Sequence, residues 1–374
     1  MRLLITGGGT GGHINPAIAL IKELQTREEP LEVLYLGTQR GMESDLVPQE
    51  GIAFSVIASR GFQRRISFDT IKTIITAATG FFQAHTYIRK FHPDVAVGTG
   101  GYVAGPVILQ AALMGIPTLI HEQNALPSLT NRMLARFVTA IALSFPESTK
   151  YFKGNTAQYV IGNPVRPEIM STGREQSIKR LQLNPKLKTL LVVGGSRGAE
   201  PINAAVLAIL PDYLSRTGQQ IIFATGKAHF AEISAKVDAL GLLQHENLHL
   251  VPYLFDMAAG LNAADLIVSR SGGMIAEINV VGIPAIYIPS PYVADNHQEY
   301  NAKAIESKGA AVMLREKDLT PTLLLQTING ILFDENKCQR MRKAAFAMAK
   351  PNATKEFADL TCKIAKKHTR QVTK

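Results

Sequence analysis

Short aliphatic and β-branched runs alternate with amphipathic stretches along almost the whole chain. Residues 2–6, 32–36, 94–97, 118–121 and 138–143 read as buried strands, because a strand covered on both faces shows an unbroken apolar run. Residues 16–27, 107–114 and 126–136 have the spacing of helices between them. After residue 163 the pattern restarts, with strands expected at 189–193, 220–224, 248–251, 265–269 and 285–288. Such alternation predicts parallel sheets with helices on both faces. The expected fold class is therefore α/β, with two Rossmann-like doubly wound domains facing each other across a cleft. Residues 1–163 and 164–349 are the expected domains. The prolines and glycine of Gly-Asn-Pro-Val-Arg-Pro at 162–167 make a hinge between them. Residues 350–374 are expected to form a basic helix that packs back on the N-terminal domain.

Composition sharpens this picture in three places. Residues 95–120 carry no charge and are long enough to span a bilayer, but Pro106, Pro117 and five glycines interrupt them. A strand, a glycine loop, a short helix and a second strand fit better. Cys338 and Cys362 are the only cysteines and lack metal-ligand spacing, which excludes a disulfide framework and a cysteine zinc site. The net charge of +10 is local: 11 basic against 2 acidic residues in 337–374, but 15 against 17 in 164–336. A second basic patch lies at 60–90, where Arg60, Arg64, Arg65, Lys72, Arg89 and Lys90 face only Asp69. A solvated helix face, nucleic acid or an anionic membrane surface would each account for such patches.

The chemistry concentrates in glycine loops. Gly-Gly-Gly-Thr-Gly-Gly at 7–12 follows the first strand and opens a helix. Small residues there let the backbone approach a ligand, and the free N–H groups of a helix start favour phosphate oxygens. Gly7, Gly9 and Gly12 satisfy the dinucleotide fingerprint, but the second strand ends Leu36-Gly37-Thr38-Gln39-Arg40 without the acid expected for the ribose of NAD. A second loop, residues 98–106, includes Gly100, Gly101 and Tyr102, and a third, Gly-Gly-Ser-Arg-Gly-Ala, spans 194–199. Three loops at strand ends point to two phosphorylated ligands rather than one dinucleotide. His13 directly follows the first loop, where a helix N-terminus lowers imidazole basicity and leaves a neutral proton acceptor. A capping or packing role is the alternative for this histidine.

Taken in order, these stretches resemble the MurG family. The resemblance rests on Gly-Gly-Gly-Thr-Gly-Gly-His-Ile-Asn-Pro-Ala at 7–17, Gly-Thr-Gly-Gly-Tyr-Val-Ala-Gly-Pro at 98–106 and His-Glu-Gln-Asn at 121–124. Gly-Asn-Pro-Val-Arg at 162–166, Gly-Gly-Ser-Arg-Gly-Ala at 194–199 and Asp-Asn-His-Gln-Glu-Tyr-Asn-Ala at 295–302 complete it. The family comprises the N-acetylglucosaminyltransferases that act on undecaprenyl-pyrophosphoryl-muramoyl-pentapeptide in bacterial cell-wall synthesis. The resemblance implies a GT-B fold, an acceptor-binding N-terminal domain, a UDP-sugar-binding C-terminal domain, and no metal or other cofactor. It implies that Thr10, Gly11 and Gly12 lie near the donor sugar and the acceptor diphosphate, with Gly100, Gly101 and Tyr102 in the acceptor loop. Asn124 and Gln298 are implied as sugar contacts, Arg166 and Ser196 as donor-phosphate and nucleotide contacts, and the backbone of Leu254 as the reader of uracil. Glu277 is implied to hold the ribose hydroxyls, in keeping with a carboxylate's capacity to accept from both at once. Between Gly272 and Glu277 the chain is one residue shorter than the family's usual form, which leaves the contacts of Gly273, Met274 and Ile275 open.

The expected reaction is a single inverting displacement yielding lipid II, with His13 as general base and Glu122, then His121, as weaker candidates. A lipid-linked acceptor requires membrane contact at the cytoplasmic face. Ile71, Ile75, Phe81 and Phe82, beside Lys72, mix apolar and basic character as a peripheral surface would. A buried core helix has the same signature. Other cell-wall synthesis proteins are further expected partners, and nucleic acid is not. The competing readings are an NADP-dependent oxidoreductase, a non-catalytic membrane scaffold and a UDP-sugar epimerase or other GT-B transferase.

Overall fold

A computed structural model describes residues 1–27, 30–60, 68–195 and 198–372. The chain divides into two units, Met1–Val165 with Lys350–Lys374, and Arg166–Ala349.

The first unit carries β1 (Arg2–Thr6), β2 (Glu32–Gly37), β3 (Phe54–Val56), β4 (Val95–Gly98), β5 (Thr118–Glu122), β6 (Ala140–Leu143) and β7 (Ala157–Val160). They form one parallel sheet in the order β3-β2-β1-β4-β5-β6-β7. Its inner strands β1 and β4 read as apolar runs because each face has its own core. Leu3 and Ile5 of β1 point into one cluster with Ile14, Leu20 and Phe357, while Leu4 points into the other with Val107 and Ile120. The uncharged stretch 95–120 resolves into β4, a glycine loop, the helix Ala104–Leu113 and β5. No helix among the described residues is long and apolar enough to cross a membrane.

The C-terminal helix Ala353–Val372 belongs to this unit. Phe357, Ala358, Leu360, Ile364 and Ala365 enter the core beside β1, and Arg27 holds Asp359 at 2.9 Å. The close approach at its entry needs Gly162, where a Cβ would lie 2.5 Å from that of Lys350.

The second unit repeats the design with β8 (Lys188–Val193), β9 (Gln219–Ala224), β10 (Leu248–Val251), β11 (Leu266–Ser269), β12 (Ala285–Tyr287) and β13 (Ala311–Met313), ordered β10-β9-β8-β11-β12-β13 and all parallel. In both sheets the order reverses beside the first strand of the unit, between β1 and β4 and between β8 and β11. Open α/β sheets bind ligands beyond the carboxyl ends of the strands at such a reversal. The loops after β1, β4, β8 and β11 are the four glycine-containing segments at those ends.

Helix boundaries differ from the sequence expectation, and the helix expected over 107–114 covers Ala104–Leu113. The first helix begins at Gly11, five residues before the apolar repeat, because the loop itself supplies the first turn. The helix expected over 126–136 covers only Leu129–Leu134. Ser128 caps it by accepting from the Asn131 backbone N–H at 3.2 Å, and Pro127 stands outside.

Candidate functional site

The first unit builds its candidate site by interlocking two glycine loops. The Gly8 N–H donates to Gly100 O at 3.2 Å, and a Cβ on Gly101 would lie 2.3 Å from Gly8 O. Gly9, Gly100 and Gly101 have φ of +84°, +109° and +82°, which only glycine adopts without strain. The Tyr102 ring lies against Gly9. Thr10 caps the helix start with extended backbone, and its carbonyl accepts from the N–H groups of His13 and Ile14. Thr10 and Gly12 are exposed there, so this helix end offers its first N–H groups outward.

His13 is half-buried between the two loops. Its Nδ1 lies 3.2 Å from Thr99 O and 3.1 Å from Gln123 Oε1, while Nε2 has no hydrogen-bond partner among the described residues. Burial lowers its pKa from the ordinary 6.5, outweighing these hydrogen bonds and the charge of Glu43. The imidazole is therefore neutral at physiological pH.

Glu122, the weaker candidate for the proton acceptor, is enclosed among hydrogen-bond donors. It is 1% exposed; Oε1 accepts from the Asn124 N–H and Nδ2 at 3.0 and 3.1 Å, and Oε2 from the Ser128 N–H and Asn131 Nδ2 at 3.0 and 2.8 Å. Burial raises its pKa against the pull of these donors. With its lone pairs engaged by four donors, the carboxylate holds the turn and orients Asn124. His121 is likewise enclosed, with Nε2 3.0 Å from Gly162 O, and burial brings its pKa down to about 4.

That depression has a consequence for stability. The folded-state pKa lies below the unfolded value of 6.5, so the unfolded chain takes up the proton first as pH falls. Stability is full above pH 6.5 and is lost progressively toward pH 4, by on the order of 3 kcal/mol from this group. Denaturant titrations across this range should show that loss, and a His121→Gln variant should flatten it.

The second unit places its candidates around the ends of β8 and β11. Gly195 and Gly198 have φ of +100° and +79°, and a Cβ on Gly198 would meet Thr225 O at 2.2 Å. Ser196, between them, lies outside the described residues. Arg166 and Glu277, expected to touch different parts of a donor, hold each other: Nε to Oε1 at 2.7 Å and Nη2 to Oε2 at 3.0 Å. This two-pronged pairing suits the planar guanidinium. It uses one lone pair on each oxygen, so Glu277 keeps acceptor capacity for hydroxyls. Gln298 ties the loop after β11 to the helix His297–Glu306: its carbonyl accepts from Ser271 Oγ at 2.7 Å, and its Oε1 accepts from the Ser290 N–H at 2.9 Å. The Leu254 side chain is buried against Gly260, which leaves only its backbone to meet a ligand.

Comparison with known proteins places this geometry in a family. The profile of the glycosyltransferase family 28 N-terminal domain matches residues 3–143, and that of the C-terminal domain matches residues 189–359. A protein of Halalkalibacterium halodurans named "UDP-N-acetylglucosamine--N-acetylmuramyl-(pentapeptide) pyrophosphoryl-undecaprenol N-acetylglucosamine transferase" is 44% identical over 98% of this chain and 100% of its own. A protein of Acetivibrio thermocellus with the same name is 42% identical over 98% of this chain and 99% of its own. The crystal structure of Acinetobacter baumannii MurG superposes with a TM-score of 0.78 at 30% identity, covering 97% of this chain and 99% of that one. The chain belongs to the MurG family of glycosyltransferases. Its two Rossmann-like units are those of the GT-B fold.

In this MurG-family chain the structure brings Thr10, Gly11, Gly12, His13, Gly100, Gly101 and Tyr102 together, with Asn124 held by Glu122 at the end of the neighbouring β5. It also draws in Glu43, which sequence reading missed. Glu43 is fully buried; Oε2 accepts from the Gly9 N–H at 2.9 Å, and Oε1 from the Thr38 N–H and Oγ1 at 3.1 and 2.7 Å. The acid absent from the end of β2 thus stands a few residues later and grips the glycine loop. Its position in the first turn of the helix Glu43–Gln49 reads as an ordinary terminal acid, so the sequence carried no distinguishing signal. Of the residues expected at a membrane, Ile75 and Phe82 are 60% and 69% exposed and lie two turns apart on one face of the helix Phe68–Phe91. Phe81 is half-buried against Phe82, and the side chains of Ile71 and Lys72 lie outside the described residues.

Proposed function

We propose that the chain transfers N-acetylglucosamine from UDP-N-acetylglucosamine to undecaprenyl-pyrophosphoryl-N-acetylmuramoyl-pentapeptide, giving the disaccharide-bearing lipid II. The observation that carries this reading is the 44% identity, over 98% of the chain, to a relative whose name states that transfer. The geometry supplies a matching chemistry. An acceptor hydroxyl attacks the anomeric carbon of the donor sugar; the new glycosidic bond forms as the bond to UDP breaks, with inversion. His13 Nε2 takes the hydroxyl proton. The neutral imidazole, with Nδ1 engaged and Nε2 open, is the form that this step needs. The departing diphosphate is met by Arg166 and by backbone N–H groups around residues 194–198 including Ser196, without a metal. Glu277 holds the ribose hydroxyls, the Leu254 backbone reads the uracil, and Asn124 and Gln298 hold the sugar. Thr10, Gly11 and Gly12, with the loop of Gly100, Gly101 and Tyr102, receive the acceptor diphosphate.

UDP release with and without the lipid acceptor tests the reading. Release should require the acceptor; equal release without it, or conversion of the donor to an epimer, contradicts a transferase.

The acceptor's lipid places the enzyme at the cytoplasmic face of the membrane, held by an anionic lipid surface. Ile75 and Phe82 support this, since their exposed apolar side chains share a helix with Arg89 and Lys90 in its last turn. An Ile75→Glu, Phe82→Glu variant with unchanged circular dichroism should lose sedimentation with vesicles containing anionic lipid. Undiminished sedimentation would rule this face out.

A further inference from the structure

Gln123 stands inside the His-Glu-Gln-Asn stretch but has no task in the mechanism above. We propose that Gln123 is a positioning residue, which fixes His13 in the tautomer with its proton on Nδ1 and so aims the Nε2 lone pair at the acceptor hydroxyl. The proposal rests on the reading of His13 as the base.

Backbone carbonyls set the polarity of the whole chain of contacts. Thr99 O can only accept, so His13 Nδ1, 3.2 Å away, carries a hydrogen toward it. Gly162 O likewise only accepts, so His121 Nε2, 3.0 Å away, carries its ring's proton and leaves Nδ1 as an acceptor. Gln123 bridges the two rings. Its Nε2 donates to Thr99 O and to His121 Nδ1, the latter at 3.2 Å, and its Oε1 accepts from His13 Nδ1 at 3.1 Å. Turning the amide over would set Oε1 against Thr99 O and against the His121 lone pair, and Nε2 against the His13 N–H. Every contact would become repulsive, so only one orientation is compatible with the two carbonyls.

The bridge is rigid because it is enclosed. Gln123 is 7% exposed and His121 fully buried, where leaving a polar group unsatisfied is costly. A Cβ on Gly100 would lie 2.5 Å from His13 Nδ1, so the second glycine loop closes over the bonded edge of the ring. The other titratable groups acting on His13 are Glu43, from the helix Glu43–Gln49, and His121, from β5. Glu43 has no hydrogen bond to Gln123, whereas His121 Nδ1 accepts from it, so the Gln123 variants also change the partner of His121.

Two substitutions separate positioning from simple packing. Gln123→Met fills the space without polar groups, leaving Thr99 O as the remaining partner of His13 Nδ1 and weakening the preference for the Nδ1-protonated tautomer. Gln123→Glu keeps an acceptor at Nδ1 but adds a negative charge that stabilises the imidazolium. Nitrogen-15 NMR of histidine-labelled enzyme, with the signal identified from a His13→Ala spectrum, reads the tautomer directly. The parent should show neutral His13 protonated at Nδ1, and Gln123→Met should show a mixture. In Gln123→Met, kcat should fall by about 10- to 100-fold, less than loss of the base itself, with KM for both substrates within about twofold. In Gln123→Glu the acid limb of kcat should move up by about one pH unit or more. A parent His13 protonated at Nε2, or an acid limb unmoved in Gln123→Glu, would overturn the proposal. The tautomer is read without turnover, so it stands apart from the base assignment, which fails only if His13→Ala remains active. If Gln123→Met does not fold, the parent spectrum and the Gln123→Glu profile still decide.

Discussion

Replacing His13 with alanine should lower kcat by about 10²- to 10⁴-fold while leaving UDP-N-acetylglucosamine affinity within about twofold. The affinity should hold because proton removal strengthens only the transition state. The size of the effect follows from the ring's setting: Nδ1 is engaged by Thr99 O and Gln123 Oε1, Nε2 has no partner among the described residues, and burial favours the neutral ring. The pH profile carries the same signature. Neutral imidazole does the work, so activity is present above the folded-state pKa and lost as pH falls through it. Burial puts that pKa below 6.5, so the acid limb should lie below 6.5 and vanish from the residual activity of His13→Ala. Near-parental turnover in His13→Ala would remove the histidine from the chemistry.

Glu43→Ala should be the most damaging change away from the reacting groups. Its carboxylate receives the Gly9 N–H, the Thr38 N–H and the Thr38 hydroxyl, all in a fully buried site. Alanine leaves those donors without acceptors, at about 1–3 kcal/mol each. The melting temperature should fall by on the order of 10 °C for a unit of this size. Turnover of the remaining folded protein should also fall, because Gly9 belongs to the loop that carries His13. Glu43→Gln isolates the loop contact. It retains an acceptor for Thr38 but turns an N–H toward that of Gly9, so it should fold nearly as well as the parent and still turn over more slowly. Scanning calorimetry and steady-state kinetics on the two variants check both halves; parental values for Glu43→Ala would show that the loop holds itself.

What the sequence reveals about the fold depends on how completely each strand is covered. β1, β4, β8 and β11 lie inside their sheets, and both faces are packed, so each shows a run of apolar residues. β3, β7 and β13 are edge strands of three or four residues with half-exposed side chains, and no periodicity announced them. The glycine loops were legible because phosphate-cradling backbone needs glycine in a run. Glu43 and Gln123 were not, since each acts through a partner far away in sequence: Glu43 on Gly9, Gln123 on His13 and Thr99. Arg166 and Glu277 were legible one by one, but their mutual pairing exists only once the chain folds.

The most direct test follows the sugar itself. Purified protein is incubated in EDTA with radiolabelled UDP-N-acetylglucosamine, with and without undecaprenyl-pyrophosphoryl-muramoyl-pentapeptide, and label is counted in the extracted lipid. Transfer predicts label in the lipid only when that acceptor is present, undiminished by the chelator. Bound donor with no labelled lipid would contradict the acceptor, and label that disappears with EDTA would contradict the metal-free departure of UDP.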